Sequence, residues 1–598
     1  MIGIEIHQRI DSCKLFCNCP SVIMEKDADV KLIRKLHPVY SELGEVDVAS
    51  KTEFEREKSF EYLAYHDCNC LVELDEEPPH FINPDALEIA LEISMHLNCK
   101  PVDEIHVMRK IIIDGSNTSG FQRTAVIAMN GELKTAKGIV RIPQISIEEE
   151  SAGIVENKDK QTKQSISTFR LDRLGIPLIE ITTDPDIRDK EHLHEVAEKI
   201  GMIMRATGKV ARGLGTIRQD LNVSAEGGAR VEIKGAQELK LLSLFAEIED
   251  KRQKELLKII AELTKKFKGK LYFEKEITDV TEVFLETQSK IIRAGLDSGA
   301  KVLGIRLPHH SGFVGREIQP NKRYGTELSE YAKSAGVKGI IHSDEEMGKY
   351  SISSSDIAKL WEKLNMKEDD AFALVVADEK TAKKALDNVW SRATMDYIPN
   401  ETRRANPDGT TSYMRPMPGR ARLYPETDVP PIQVTKELLS AVDAGKSESL
   451  EEKKKKLLGM LNKEMADVMI KSRNLSLFEK LTAKFKKTEP MLIANTLENA
   501  LVSIRREGFE VKEVTSALED LFTNYESGLF VKSAIPEILK LVSKGKTVKE
   551  AVKDSKLERI TGKELQKIAK ENNFDVAKIM QKYRLNVDSA ELGKLKAK

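Results

Sequence analysis

Apolar and polar positions alternate with period two in two linked runs, Arg218-Gln-Asp-Leu-Asn-Val-Ser224 and Arg230-Val-Glu-Ile-Lys234. Leu221, Val223, Val231 and Ile233 fall on one side, and Arg218, Asp220, Asn222, Ser224, Arg230, Glu232 and Lys234 on the other. The Gly227-Gly228 pair between them supplies a turn, so the pattern predicts a β-hairpin with one apolar and one polar face. Such a polar face is either solvated or lines a pocket. The same period near the N-terminus sets Ile2, Ile4 and Ile6 against Gly3, Glu5 and His7. It predicts a buried strand on which Glu5 and His7 share a face.

Further strands are expected at 142–147, leading into Glu148-Glu-Glu150, and at Pro177-Leu-Ile-Glu180-Ile, followed by Asp184. Helical spacing appears at 84–99, where Asn83 is a candidate N-cap, and at 189–207. A charged helix continues from the hairpin to about Lys266. Residues 273–391 have the texture of a compact α+β unit. The dense polar style of the first segment then returns from Glu401-Thr-Arg403 to Tyr424-Pro-Glu-Thr-Asp428. One domain interrupted by an inserted one is the simplest account. From 435 onward the pattern is helical, and lysines at 541–553 and 563–598 are placed either to touch an RNA backbone or simply to solvate a helical module.

Length changes the picture only by requiring several domains for 598 residues. Charge changes it less, because 95 basic and 96 acidic residues leave a net charge of -1. No apolar run is long enough to span a bilayer and no signal-peptide pattern is present, so no membrane contact and a cytoplasmic location are expected. All six cysteines lie in the first hundred residues, where a disulfide framework is not expected. Two Cys-x-Cys pairs, Cys17/Cys19 and Cys68/Cys70, are either four thiolates for a structural Zn²⁺ or buried free thiols.

Candidate chemistry is oxygen-rich. Acid, amide and base types on one rigid hairpin suit a carboxylate-bound Mg²⁺ and a phosphate. The loop Asp114-Gly-Ser-Asn-Thr-Ser119-Gly-Phe-Gln-Arg123-Thr124 either wraps a phosphate or carboxylate, through groups such as Ser119 and Arg123, or is an ordinary turn. No P-loop and no three-glycine dinucleotide fingerprint is present, and no amidase-type Ser/Lys or Cys/His spacing is visible.

Taken in order, Gly3-Ile-Glu-Ile-His7-Gln8, Lys14-Leu-Phe-Cys17, Pro177-Leu-Ile-Glu180-Ile, the two hairpin runs and the 401–428 segment resemble the B/E family of tRNA-dependent amidotransferase subunits from end to end. The insertion and the 114–124 loop resemble the archaeal E branch. The alternatives are the B branch of the three-component Asp/Glu-tRNA enzyme and a tRNA-binding adaptor without chemistry. The resemblance implies a multidomain α+β fold. Its parts are a split cradle domain (1–272 and 392–435), an insertion similar to that of bacterial-type aspartyl-tRNA synthetases (273–391), a helical domain (436–495) and a YqeY-like tail (496–598).

It also implies a reaction. ATP phosphorylates the side-chain carboxylate of glutamate misacylated on the glutamine tRNA. Ammonia from a separate asparaginase-like glutaminase, the D component of a heterodimer, displaces the phosphate. Carried over, His7, Glu149 and Glu180 resemble the Mg²⁺ ligands. Glu5, Glu148 and Asp184 stand as outer helpers or second-metal ligands, and Arg218, Asp220, Asn222, Glu232 and Lys234 line the same pocket. The run of three glutamates allows a one-residue slip, which would exchange Glu148 and Glu149. The second cysteine pair departs from the Cys-x-x-Cys of many members of the B branch.

Overall fold

The computed structural model describes residues 1–38, 50, 51, 54, 59–155, 166–419 and 423–596. They divide into two compact units, Met1–Lys446 and Ser447–Lys598.

The first unit is built on an 11-stranded sheet whose middle is the N-terminal strand Ile2–Arg9. To one side of it lie Ile217–Val223, Val231–Lys234, Glu401–Ala405 and Thr411–Pro416. To the other lie Pro177–Thr182, Gly138–Glu149, Phe121–Thr135, Val107–Ile111 and Leu423–Pro425. Neighbours along this row are antiparallel, except that Val231–Lys234 and Glu401–Ala405 run parallel, as two strands joined by a long excursion can. The excursion is the insertion, so the 401–428 segment rejoins the sheet that the hairpin left. Arg420 to Arg422 of that segment lie outside the described residues.

One sheet face is apolar. Ile4, Ile6, Ile145, Ile147, Ile181, Leu221 and Ile233 are fully buried, each contributing about 1.5–3 kcal/mol. Helices Pro84–His96 and Lys190–Ala206 are capped by Asn83, which accepts from the Ala86 amide at 3.0 Å, and by Asp189, which accepts from the His192 amide at 2.9 Å. The Leu239–Lys266 helix then carries the chain into the insertion, and its C-terminal half (Leu256, Ile259, Leu263) shares the insertion's core.

The insertion folds around its own four-stranded sheet, ordered Ile277–Asp279, Lys301–Leu307, Ala371–Ala377, Ile341–His342. A buried ion network joins it to the large sheet. Glu327 of the insertion meets Arg252 at 2.8 Å, Arg392 at 3.2 Å and Arg403 at 3.3 Å. Arg403 also pairs with Glu401 at 2.6 Å and Glu330 at 3.1 Å. Burying so many charges is tolerated only because each is matched.

In the second unit all regular structure among the described residues is helical. One core runs from Leu457 to Leu557, and a smaller one gathers Leu565, Ile568, Ile579 and Leu592.

Candidate active site

The polar face of the large sheet gathers side chains from strands on both sides of Ile2–Arg9. Strand register decides which ones, because paired residues point the same way and a one-residue slip reverses every side chain. Glu5 pairs with both Thr182 and Asp220, His7 with both Glu180 and Arg218, and Gly3 with Asn222. Asn222 in turn pairs with Glu232. On the next strands Leu178 pairs with Glu148, which pairs with Thr124.

His7 Nε2 therefore stands among three carboxylates: Glu5 at 3.3 Å, Glu148 at 3.5 Å and Glu180 at 3.6 Å. Lys110 Nζ completes the group, 2.8 Å from Glu148 and 3.7 Å from Glu180. A second acidic group, Glu5, Asp220 and Glu232, is bridged by Lys234, which lies 3.2 Å from Asp220 and 2.9 Å from Glu232. Thr402 donates to Glu232 Oε2 at 2.9 Å, so the rejoining strand orients a site carboxylate.

Titration follows from this crowding. Burial, then the charge of Glu180, pushes the Glu5 carboxyl up to about 7. Burial alone would lower His7, but its hydrogen bond to Glu180 and the charges of Glu5 and Glu148 raise it to about 9. Burial would raise Glu180, yet Lys110 and His7 hold it well below the usual carboxylate range. Lys234 is likewise raised by Asp220, Glu232 and Glu5 against its burial. Three carboxylates against one imidazole and one ammonium leave room for a divalent cation, and the ligand atoms of Glu5, His7 and Glu180 lie within 4.8 Å of one another. An oxygen-rich set with one imidazole fits Mg²⁺.

Four of the expected residues sit elsewhere. Glu149 is not beside His7 and Glu180: it follows Glu148 on the strand and so faces the opposite side. There Oε1 accepts from the Arg123 amide at 2.9 Å, and burial raises its carboxyl. Arg123 shares that side, with Nε 2.8 Å from Glu426 and its guanidinium over the Phe16 and Phe121 rings. Ser119 donates to the Phe121 carbonyl at 3.0 Å and, with Arg123, Asn117 and Lys14, lines a cavity away from His7. The 114–124 loop also has a packing reason for its glycine: at Gly115, with φ 91°, a Cβ would sit 2.2 Å from the Phe60 ring. Asp184 lies beyond its strand's end, 3.3 Å from Arg141.

The cysteines are all free thiols. Cys17, Cys19 and Cys70 converge with Glu73, their ligand atoms within 4.8 Å, whereas Cys68 does not join them. Cys68 and Cys70 lie in a turn, where residues two apart need not share a direction as they would on a strand. Glu73 takes the fourth place, accepting from Cys17 Sγ at 2.9 Å and Cys70 Sγ at 3.2 Å. Burial, then the charge of Glu73, pushes the Cys70 thiol up to about 12.

Sequence reasoning missed Lys110, Glu73 and Thr402. It also missed Arg9, which extends the Glu5, His7 alternation by one step and was legible by the same period.

Nearly all of the first unit coincides with a recognised family pattern. Residues 1–440 match the family model of the GatB/GatE catalytic domain. The chain belongs to the GatB/GatE family. It is 44% identical over 577 residues to the E subunit of glutamyl-tRNA(Gln) amidotransferase from Methanocaldococcus jannaschii, covering 95% of this chain and 90% of that one. It is 44% identical over 587 residues to the protein of the same name in Pyrococcus abyssi, covering 96% and 91%. The Thermococcus gammatolerans protein of that name is similar at 44% over 587 residues, covering 96% and 92%. The family model ends at residue 440, and the similarity to these E subunits covers 95–96% of the chain.

Proposed function

We propose that this chain is the E component of a glutamyl-tRNA(Gln) amidotransferase, converting glutamate carried on the glutamine tRNA to glutamine. The observation that carries the reading is the His7 cluster, set on the strands that hold the family's motifs, in a chain similar over 95% of its length to a protein of that name. No helix among the described residues is long and apolar enough to cross a membrane.

A carboxylate is a poor electrophile because oxide would have to leave. In the proposed reaction the glutamyl carboxylate oxygen attacks the γ-phosphorus of ATP and ADP departs. Ammonia then attacks the acyl carbon, loses a proton and expels phosphate. Mg²⁺, when bound, neutralises charge between the carboxylate and the phosphates. His7, Glu148 and Glu180 would hold it, with Glu5 beside them. Asp220, Glu232 and Asn222 would line the pocket, and Lys110, Lys234 and Arg218 would offset anionic charge. The surrounding sheet would limit the entry of water that would hydrolyse the acyl phosphate. Cys17, Cys19, Cys70 and Glu73 would hold a structural Zn²⁺.

The finer architecture follows the same reading: a cradle split by an aspartyl-tRNA synthetase-like insertion, then a helical domain and a YqeY-like tail whose lysines meet the tRNA. Ammonia would come from an asparaginase-like glutaminase partner in a cytoplasmic complex. The test is amidation of misacylated Glu-tRNA(Gln) by the purified chain with ATP, Mg²⁺ and either ammonium chloride or a co-purified glutaminase. Gln-tRNA formation that depends on ATP is expected. ATP cleavage that ignores the aminoacyl-tRNA, or tRNA binding without amidation, would overturn the reading. Co-purification with an amidase-signature partner instead would point to the B branch.

A further inference from the structure

Beside the acidic cluster, three guanidinium groups converge on one carboxylate. Glu150 is fully buried. Arg9 reaches it through Nε and, at 3.2 Å, through Nη2. Arg173 approaches it through Nε at 3.3 Å and Arg218 through Nη2 at 3.2 Å. Arg173 also donates to the Ser151 and Ala152 carbonyls, both at 2.9 Å. The Glu150 carboxylate thus meets three guanidinium groups, and the next carboxylate, Asp172, is itself paired with Arg170 at 2.6 Å. The crowding registers on Arg173, whose proton affinity falls through burial and through repulsion by Arg218 and Arg9, with Glu150 and, more weakly, Asp172 opposing.

The group is continuous with the candidate active site and open to ligand. Arg218 is the strand partner of His7, and Arg9 lies two residues beyond His7 on the same face. Arg9, Arg173 and Arg218 are 12%, 29% and 30% exposed, so their free edges are reachable. The neighbouring loop is tied down by Gln8 Nε2, which donates to the Ala211 carbonyl at 2.9 Å and the Thr216 carbonyl at 3.2 Å. At its crest Leu214 is fully exposed between Gly213 and Gly215, both at positive φ with open space around them.

Pairing one buried carboxylate needs one arginine, and the further partly buried cations carry charge that Glu150 alone does not neutralise. Each guanidinium carries five N–H donors in a fork that matches phosphate oxygens. A phosphoryl group bears about −1.5 to −2 charges, close to the surplus here, whereas a single carboxylate would leave a cation unmatched. We infer that Arg9, Arg173 and Arg218, set around Glu150, form a subsite for a phosphoryl group adjoining the His7 cluster. The inference leans on the proposed function only for the two sources of that group, the phosphate tail of ATP and a phosphodiester at the 3′ end of the charged tRNA.

The experiment uses the full chain and two variants, Arg9→Gln and Arg9→Lys, in which Glu150 keeps Arg173 and Arg218 as partners. One arm measures Kd for Mg·ATP without tRNA, the other Kd for Glu-tRNA(Gln) without ATP, and thermal melting reports folding. Arg9→Gln should weaken one of the two ligands about tenfold or more, the size of one charged hydrogen bond, with Arg9→Lys restoring part of the loss. A loss confined to ATP assigns the subsite to the nucleotide tail, and a loss confined to tRNA assigns it to the phosphodiester. Unchanged affinity for both ligands in a normally melting variant overturns the subsite. Failure of the wild-type chain to bind either ligand would instead overturn the proposed function.

Discussion

His7 Nε2 lies 3.5 Å from Glu148 Oε1, while Glu149, one residue further along the strand, turns to the other side of the sheet and accepts the Arg123 amide. Adjacent glutamates thus belong to different chemistry. Glu148 stands with His7, Glu180 and Lys110 on the polar face, and Glu149 is part of the packing beneath it.

Glu148→Gln is therefore expected to lower the amidation rate by about 10²–10³, the usual loss when an electrostatic group is removed from such a site. Glu149→Gln keeps an acceptor for the Arg123 amide and should leave the rate near that of the wild type. Steady-state kcat for the two variants decides it. A greater loss in Glu149→Gln would move the site to the other register.

Glu327 faces Arg252, Arg392 and Arg403, all fully buried. Glu327→Ala leaves those cations short of a partner and should destabilise the first unit by about 3–5 kcal/mol. Denaturant unfolding followed by tryptophan fluorescence measures this, since Trp390 lies on the Glu379–Ala393 helix with Arg392. A change below about 1 kcal/mol, the scale of an exposed pair, would show that the network does not anchor the insertion.

His310 is buried, its Nδ1 2.6 Å from the Pro308 carbonyl, and burial lowers it to about 4. Its folded pKa is below the unfolded value, so between about 6.5 and 4 the unfolded chain binds the extra proton. Its contribution is fully present above about pH 6.5 and is lost as pH falls towards 4, amounting to about 3 kcal/mol at 1.36 kcal/mol per pKa unit. Unfolding midpoints at pH 7.5 and 5 should fall less between the two pH values in His310→Phe than in the wild type. Equal falls would remove His310 as the cause.

Metal content tests the thiol cluster. Cys19→Ser should release the proposed Zn²⁺ and lower the melting temperature, while Cys68→Ser should retain the metal, because Glu73 rather than Cys68 meets Cys17, Cys19 and Cys70. Elemental analysis of the two purified variants is sufficient. Retention in Cys19→Ser would exclude that ligand set.

Much of this was local and legible. Period-two alternation marked the strands around Glu5, His7 and Glu180 and the hairpin that carries Asp220, Asn222, Glu232 and Lys234. Asn83 and Asp189 marked helix starts. Each is a property of a few consecutive residues, which backbone geometry converts directly into a face or a cap. Nothing local could distinguish Glu148 from Glu149, since that depends on pairing with Pro177–Thr182 and on an irregularity between Val126 and Ala128 in the neighbouring strand. Nor could it replace Cys68 by Glu73, bring Lys110 to Glu180, set Thr402 against Glu232, or gather Arg9, Arg173 and Arg218 on Glu150. The sequence by itself determined which acidic, basic and amide side chains share a strand face and which strands present them. Tertiary structure alone decided which of them meet, because register and long-range packing are settled by the whole sheet at once.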